Sequence, residues 1–137
     1  KKYQPKAKIY FHETWSYEID STHEHFRSYN NNQKEMYRRI SDSSEMASKL
    51  IGAEIIPVGD VIQSLRENTK EFDYAGGGLS LCRDGFHLSL LYGRFAAAAT
   101  WYKILTGKDA DTEKFVEQNP DFDISLLRVI ETAILKL

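Results

Sequence analysis

The hydrophobic pattern of this chain changes period several times, and each change marks an element. "AKIYF", residues 7–11, is a short, mostly apolar run after Pro5, and it predicts a strand of buried character. From about Asn31 to Leu50, the residues Met36, Ile40, Ala47, Leu50 and Ile51 fall at helical spacing, with Gly52 as the stop. A second buried strand is expected over "AEIIPV", residues 53–58, and then a short helix over "GDVIQSLREN" that Asp60 can cap.

Residues 69–83, "TKEFDYAGGGLSLCR", hold three consecutive glycines and no sustained period, so they read as a loop. Ser89 can then cap a helix through Leu91, Phe95, Ala98, Tyr102 and Leu105, closed by Gly107. Gly93 and the alanines Ala96 to Ala99 suit that helix for a close approach to a sheet. Asp111 or Thr112 starts a short helix to Gln118. Asp123 opens a last one, with Ile124, Leu127, Ile130, Ile134 and Leu137 on one face.

Two strands joined by a helix should run parallel, and parallel strands occur almost only in larger sheets covered on both faces. The helical segments expected here outnumber the strands they should cover. The expectation is therefore an α/β chain whose sheet is completed by a missing N-terminal half or by another chain.

Composition narrows the class. A chain of 137 residues is sized for one domain, spanning 1–137, and 42% hydrophobic residues with a formal charge of −2 describe an ordinary globular protein. No nucleic-acid partner is implied. The longest apolar run, around 90–106, is broken by Gly93, Arg94 and Lys103, so no membrane span is expected. "KKYQPKAK" is basic but has no apolar signal core. The lone Cys82 excludes an intramolecular disulfide and leaves the compartment open, a secreted or periplasmic place included.

Candidate chemistry concentrates in "DGFHLSLLYGRFAAAATWY", residues 84–102, where Asp84 and His87 stand three apart ahead of a helix. A histidine held by a carboxylate through one ring nitrogen acts as general base through the other. The plainer reading makes Asp84 a loop cap and His87 a surface residue.

The "DGFHLSLLYGRFAAAATWYKILTGK" stretch, together with "HETWSY" at 12–17 and "IIPVGDVIQSLRE" at 55–67, resembles the SGNH or GDSL-like hydrolase superfamily, in particular a largely uncharacterised bacterial branch. The likeness covers about residues 7–108. It implies a three-layer α/β/α, flavodoxin-like fold of which this chain supplies the C-terminal half. It further implies that His87 and Asp84 are the base and the acid of a Ser-His-Asp triad, acting on carboxylic esters such as acetylated carbohydrates, with no metal or organic cofactor. Trp15 and Tyr17 would wall the substrate cleft, although aromatic side chains there equally suit the core. Glu13 would accept a substrate hydroxyl or orient a loop, or else be solvated.

The superfamily's nucleophile and oxyanion blocks are absent from the sequence. "VGD", 58–60, continues with Val61 rather than serine, and "SYNNN", 28–32, follows no Gly-x-Asn-Asp pattern. Loss of nucleophile and oxyanion donors together removes nearly all rate enhancement, so this chain alone is expected to be inactive. The competing class is a non-catalytic glycan-binding or interaction module of the same shape.

A metal-dependent hydrolase is a third class, suggested by His12, Glu13, His23, Glu24 and His25. His23 and His25, two apart, suit a strand or loop rather than the i, i+4 helical zinc spacing. Cys82 has only Arg83 as a charged neighbour, weak grounds for an activated thiol. "GGGLS", 76–80, lacks the lysine of a phosphate loop and reads as a turn or lid.

Overall fold

The computed structural model describes residues 3–136. The order is β1 (Tyr10–His12), a 3₁₀ turn (Glu24–Tyr29), α1 (Gln33–Ile51), β2 (Glu54–Ile56), α2 (Val58–Asn68), a second 3₁₀ turn (Tyr74–Gly76), α3 (Tyr92–Thr106), α4 (Thr112–Gln118) and α5 (Ile124–Ile134). The result is a mixed α/β chain, mostly helical, around a small parallel sheet of two strands. Among the described residues no helix is long and apolar enough to cross a membrane.

The strands are shorter than the apolar runs that announce them. Pairing spans Tyr10↔Glu54, Phe11↔Ile55 and His12↔Ile56, so Ala7 and Lys8 stay outside the ladder and Pro57 ends β2. Side chains alternate across a strand. Tyr10 packs against the core formed by α2, α3 and α5, while Phe11 turns to the opposite side, toward Ile40, Ser44 and Ala47 of α1.

Helix α1 begins where Asn32 Oδ1 accepts the Glu35 N–H at 3.0 Å and stops at Gly52, whose φ of 63° admits the left-handed closing turn. Its expected inward face is corrected in part. Gln33, Met36, Ser44 and Ser48 are buried, whereas Leu50 is 85% exposed and Ile51 48%. At 100° per residue, Leu50 lies roughly 120° around the helix from Ser44, off the inward line.

Asp60 does not cap α2. It is the third helical residue, and its own N–H donates to Glu13 Oε2 at 3.1 Å, so a carboxylate from beyond β1 takes the capping role. Ser89 does serve α3: its hydroxyl accepts the Gly93 N–H at 2.9 Å. A side chain at Gly93 would run into the Leu81 carbonyl. Helix α3 buries Phe95, Ala96, Ala99 and Thr100 against α2, α5 and β2, and leaves Ala98, Tyr102 and Leu105 exposed, so the small residues bring it to other helices as much as to the sheet. Asp111 and Asp123 cap α4 and α5 as expected. Leu127, Ile130 and Ile134 are buried, Ile124 is half-buried, and Leu137 lies outside the described residues.

Candidate acid–base site

Asp84 and His87 sit at the tip of a narrow loop. Cys82 and Leu88 form an antiparallel bridge, Arg83 N–H donates to the His87 carbonyl at 2.9 Å, and Ser89 N–H donates to the Leu81 carbonyl at 2.8 Å. Gly85 turns the tip at φ 85°, where a Cβ would stand 3.0 Å from Ser21 Cα. Two main-chain carbonyls anchor the tip: Gly85 O accepts the Glu18 N–H at 2.7 Å, and Phe86 O accepts Trp15 Nε1–H at 2.7 Å.

Asp84 organises the turn. Oδ1 accepts the backbone N–H groups of Phe86 at 3.3 Å and His87 at 2.8 Å, and Oδ2 lies 2.8 Å from His87 Nδ1. The His87 side-chain bond, followed by the backbone donors, holds the Asp84 carboxyl down at about 2. An ionised carboxylate only accepts, so the proton of that contact belongs to His87 Nδ1. Nε2 is left unprotonated in the neutral ring and, among the described residues, bonds no hydroxyl or thiol. One carboxylate thus both caps the turn and contacts the imidazole, through different oxygens.

The expected cleft residues divide. Trp15 is half-buried, packs on the core and spends its indole N–H on the loop. Tyr17 is enclosed by His23, Phe26 and Phe86, with ring centroids at 4.9, 5.8 and 5.8 Å. Both therefore support the site from behind. Glu13 is neither solvated nor open to a substrate: it is 2% exposed, and burial together with the nearby Asp60 charge raises its carboxyl to about 7. Tyr37 donates to Asp60 Oδ1 at 2.8 Å, and burial plus that bond push the phenol above its ordinary range.

The histidine-rich segment does not converge. His23 Nδ1 accepts the His25 N–H at 3.2 Å and caps the 3₁₀ turn, while His12 is held elsewhere by Trp101 Nε1, which donates to His12 Nδ1 at 2.9 Å. Among the described residues no group of histidine, cysteine and carboxylate side chains is placed to hold a metal. Cys82 is buried, which pushes its thiol up to about 11, the opposite of activation. The glycine run closes the Tyr74–Gly76 turn, its φ of 95° at Gly77 serving the turn.

One feature of the site has no sequence signal. Glu18 and Arg66 form an ion pair with side chains 2% and 4% exposed, directly behind the loop. Glu18 Oε2 accepts Ser80 Oγ at 2.7 Å and Arg66 Nη2 at 3.4 Å, and Oε1 accepts Gln33 Nε2 at 2.8 Å. Arg66 also donates to the Ser16 carbonyl, the Ser16 hydroxyl and Cys82 Sγ. Asp84 itself borders a cavity of about 240 Å³ shared with Asp20, Thr22, Tyr74, Ser80 and Arg83.

A family model described as "Domain of unknown function (DUF4886)" matches residues 1–125. The chain belongs to the DUF4886 family. It is also similar to the crystal structure of a DUF4886 family protein from Bacteroides uniformis, at 29% identity and a TM-score of 0.76. That match covers 95% of this chain and 47% of the relative, so the chain spans about half the relative's length. No curated protein matches the chain.

Proposed function

We propose that this chain carries the acid–base half of a serine acyl-transfer site within an SGNH-type α/β/α fold, acting on carboxylic esters of the acetylated-carbohydrate kind. The observation that carries the reading is the 2.8 Å contact of His87 Nδ1 with an ionised Asp84, which leaves Nε2 as the free base. In this reading Nε2 takes the proton of a serine hydroxyl as the hydroxyl attacks the ester carbonyl. Asp84 stabilises the resulting imidazolium, and Nε2 then protonates the departing alcohol. Water repeats the sequence to release the acid.

The serine and the oxyanion donors come from the part of the DUF4886 architecture outside this chain. Support comes from the loop's construction: the histidine is oriented by a carboxylate and the tip is anchored by main chain, as general-base work requires. The second reading, a non-catalytic glycan-binding module, draws on the aromatic row of Trp101, His12 and Trp15, with His12 stacked on Trp101 at 5.6 Å.

The test is ester turnover and labelling by a serine-reactive fluorophosphonate, with this chain in place of the matched half of the Bacteroides uniformis relative. Turnover that falls about 10³-fold or more in His87→Ala supports the reading. Turnover or labelling indifferent to His87 refutes it, and absence of both in a folded protein favours the binding module.

A further inference from the structure

We propose that a cavity of about 300 Å³, lined by Glu18, Gln33, Arg66, Glu67, Asp73 and Tyr74, binds one neutral, polyhydroxylated ring, a monosaccharide or a cyclitol. This inference does not rest on the esterase reading. The site is separate from the Trp101, His12 and Trp15 row, and it shares only Tyr74 with the cavity that Asp84 borders.

The floor of this cavity is polar and buried. It holds the Glu18–Arg66 pair, with Gln33 beside it at 9% exposure. Arg66 Nη1 donates to the Ser16 carbonyl and hydroxyl, and Nη2 donates to Glu18 Oε2 and Cys82 Sγ. Its Nε–H is equally buried and has no acceptor among the described residues. In the planar guanidinium Nε–H shares one edge with Nη2, so the orphan lies on the edge turned toward Glu18, which itself borders the cavity. A buried donor without a partner costs its full desolvation, and whatever fills the space beside it must supply an acceptor.

The surrounding charges select the acceptor. Arg66 pairs with Glu18, and Lys34 pairs with Glu67 at 3.4 Å, which leaves Asp73 as the uncompensated charge of the lining. An anion would satisfy Nε–H but would meet three carboxylates. An ammonium would suit the carboxylates but has no lone pair to offer Nε–H. A hydroxyl does both, because its oxygen accepts while its proton goes to a carboxylate. Asp73 uses Oδ1 for the Gly76 N–H, and Glu67 uses Oε1 for Gln63 and Lys34, so each keeps a second oxygen for such a proton.

Size and wall fit one ring. The volume is at the lower end for ligand sites, which admits a single ring rather than a chain. Ile19, Tyr74 and Ala75 supply the apolar share that ring C–H groups need. The Tyr74 side of the wall is held in advance: the Tyr74 hydroxyl donates to Asp20 Oδ2 at 2.9 Å, and Asp73 Oδ1 caps the turn that carries the ring by accepting the Gly76 N–H at 3.1 Å. A wall fixed before the ligand arrives spares the cost of ordering it on binding.

The test is an NMR titration of the full, isotope-labelled chain, read at the backbone amides and at the arginine Nε–H signals. Methyl β-glucopyranoside and myo-inositol should move the Arg66 Nε–H signal and the amides of Gln33 and Tyr74 saturably, with Kd in the millimolar range. Inorganic phosphate and ethylenediamine should not. Ala75→Trp, at an exposed position on the rim, should abolish the shifts, and Tyr74→Ala should raise Kd about tenfold, the dispersion of each spectrum reporting that the variant is folded. An Nε–H signal that neither neutral probe moves overturns the proposal and makes a buried water the acceptor. So does a larger shift with phosphate or ethylenediamine, which makes the site ionic. Shifts that survive both variants also overturn it, because they put the ring elsewhere. Ester turnover is no part of this readout, so failure here and failure of the esterase reading are separable.

Discussion

Replacing Arg66 with methionine removes the cation from a buried pair while keeping most of the side-chain volume. The guanidinium is 4% exposed and donates to Ser16 twice, to Glu18 at 3.4 Å and to Cys82 Sγ at 3.3 Å. Breaking a buried pair by deleting one partner costs about 3–5 kcal/mol, because the other charge is left uncompensated. Glu18 keeps the Ser80 hydroxyl and the Gln33 amide, which places the expected loss at the lower end, about 3 kcal/mol. With a urea m-value of about 2 kcal/mol/M, the unfolding midpoint should fall by roughly 1.5 M. Adding Glu18→Gln removes the orphaned charge, so the double variant should recover part of that loss rather than double it. Urea titrations followed by tryptophan fluorescence measure all the corners of this cycle. A single-variant loss under about 1 kcal/mol, or strict additivity, would falsify the view that a buried charge pair braces the loop.

Gly85→Ala puts a Cβ at φ 85° and against Ser21, and should cost about 1–3 kcal/mol while broadening the amide signals of residues 84–87. Asp84 has a folded pKa below its unfolded value, so its contribution is present above about 3.8 and vanishes as the pH falls through about 2. The His87 amide should therefore lose exchange protection across that window, and Asp84→Asn should abolish the transition. Glu13 runs the other way: its raised pKa makes the folded state bind the extra proton, so stability declines as pH rises from about 4.5 to about 7. A protonated-carboxyl infrared band should disappear over that range and be missing in Glu13→Gln; a band absent at every pH contradicts the assignment. Cys82 should resist alkylation at pH 8 in the native protein and react readily in urea.

The boundaries of the elements were legible because they rest on local chemistry. Gly52, Gly107, Asp111 and Asp123 each act within a turn of their own position and take the places expected of them, and Asn32 caps the helix expected from about Asn31. The Asp84–His87 contact was legible for the same reason, its three-residue spacing fitting one loop. What periodicity could not supply was the cover. The stripes ending in Leu50 and Leu105 read as core from sequence and are exposed, because an apolar face states only that it needs a partner. The buried polar groups were equally silent. Glu13, Glu18 and Arg66 look like solvated charges in the sequence, and their partners lie some fifty residues away, as with Glu13 and Asp60 or Glu18 and Arg66.

The loop tip is gripped through the carbonyls of Gly85 and Phe86, and the Phe86 ring adds contacts with His23 at 4.7 Å and Tyr17 at 5.8 Å. Main-chain anchors are indifferent to what is mounted on them. The ring at position 86 lies tilted against His87, with centroids 4.2 Å apart, and is thus a near lever on whatever approaches the imidazole. Redesign of selectivity at that position, with rings that keep the His23 and Tyr17 contacts, should therefore leave the proton-handling geometry of the next residue where it is.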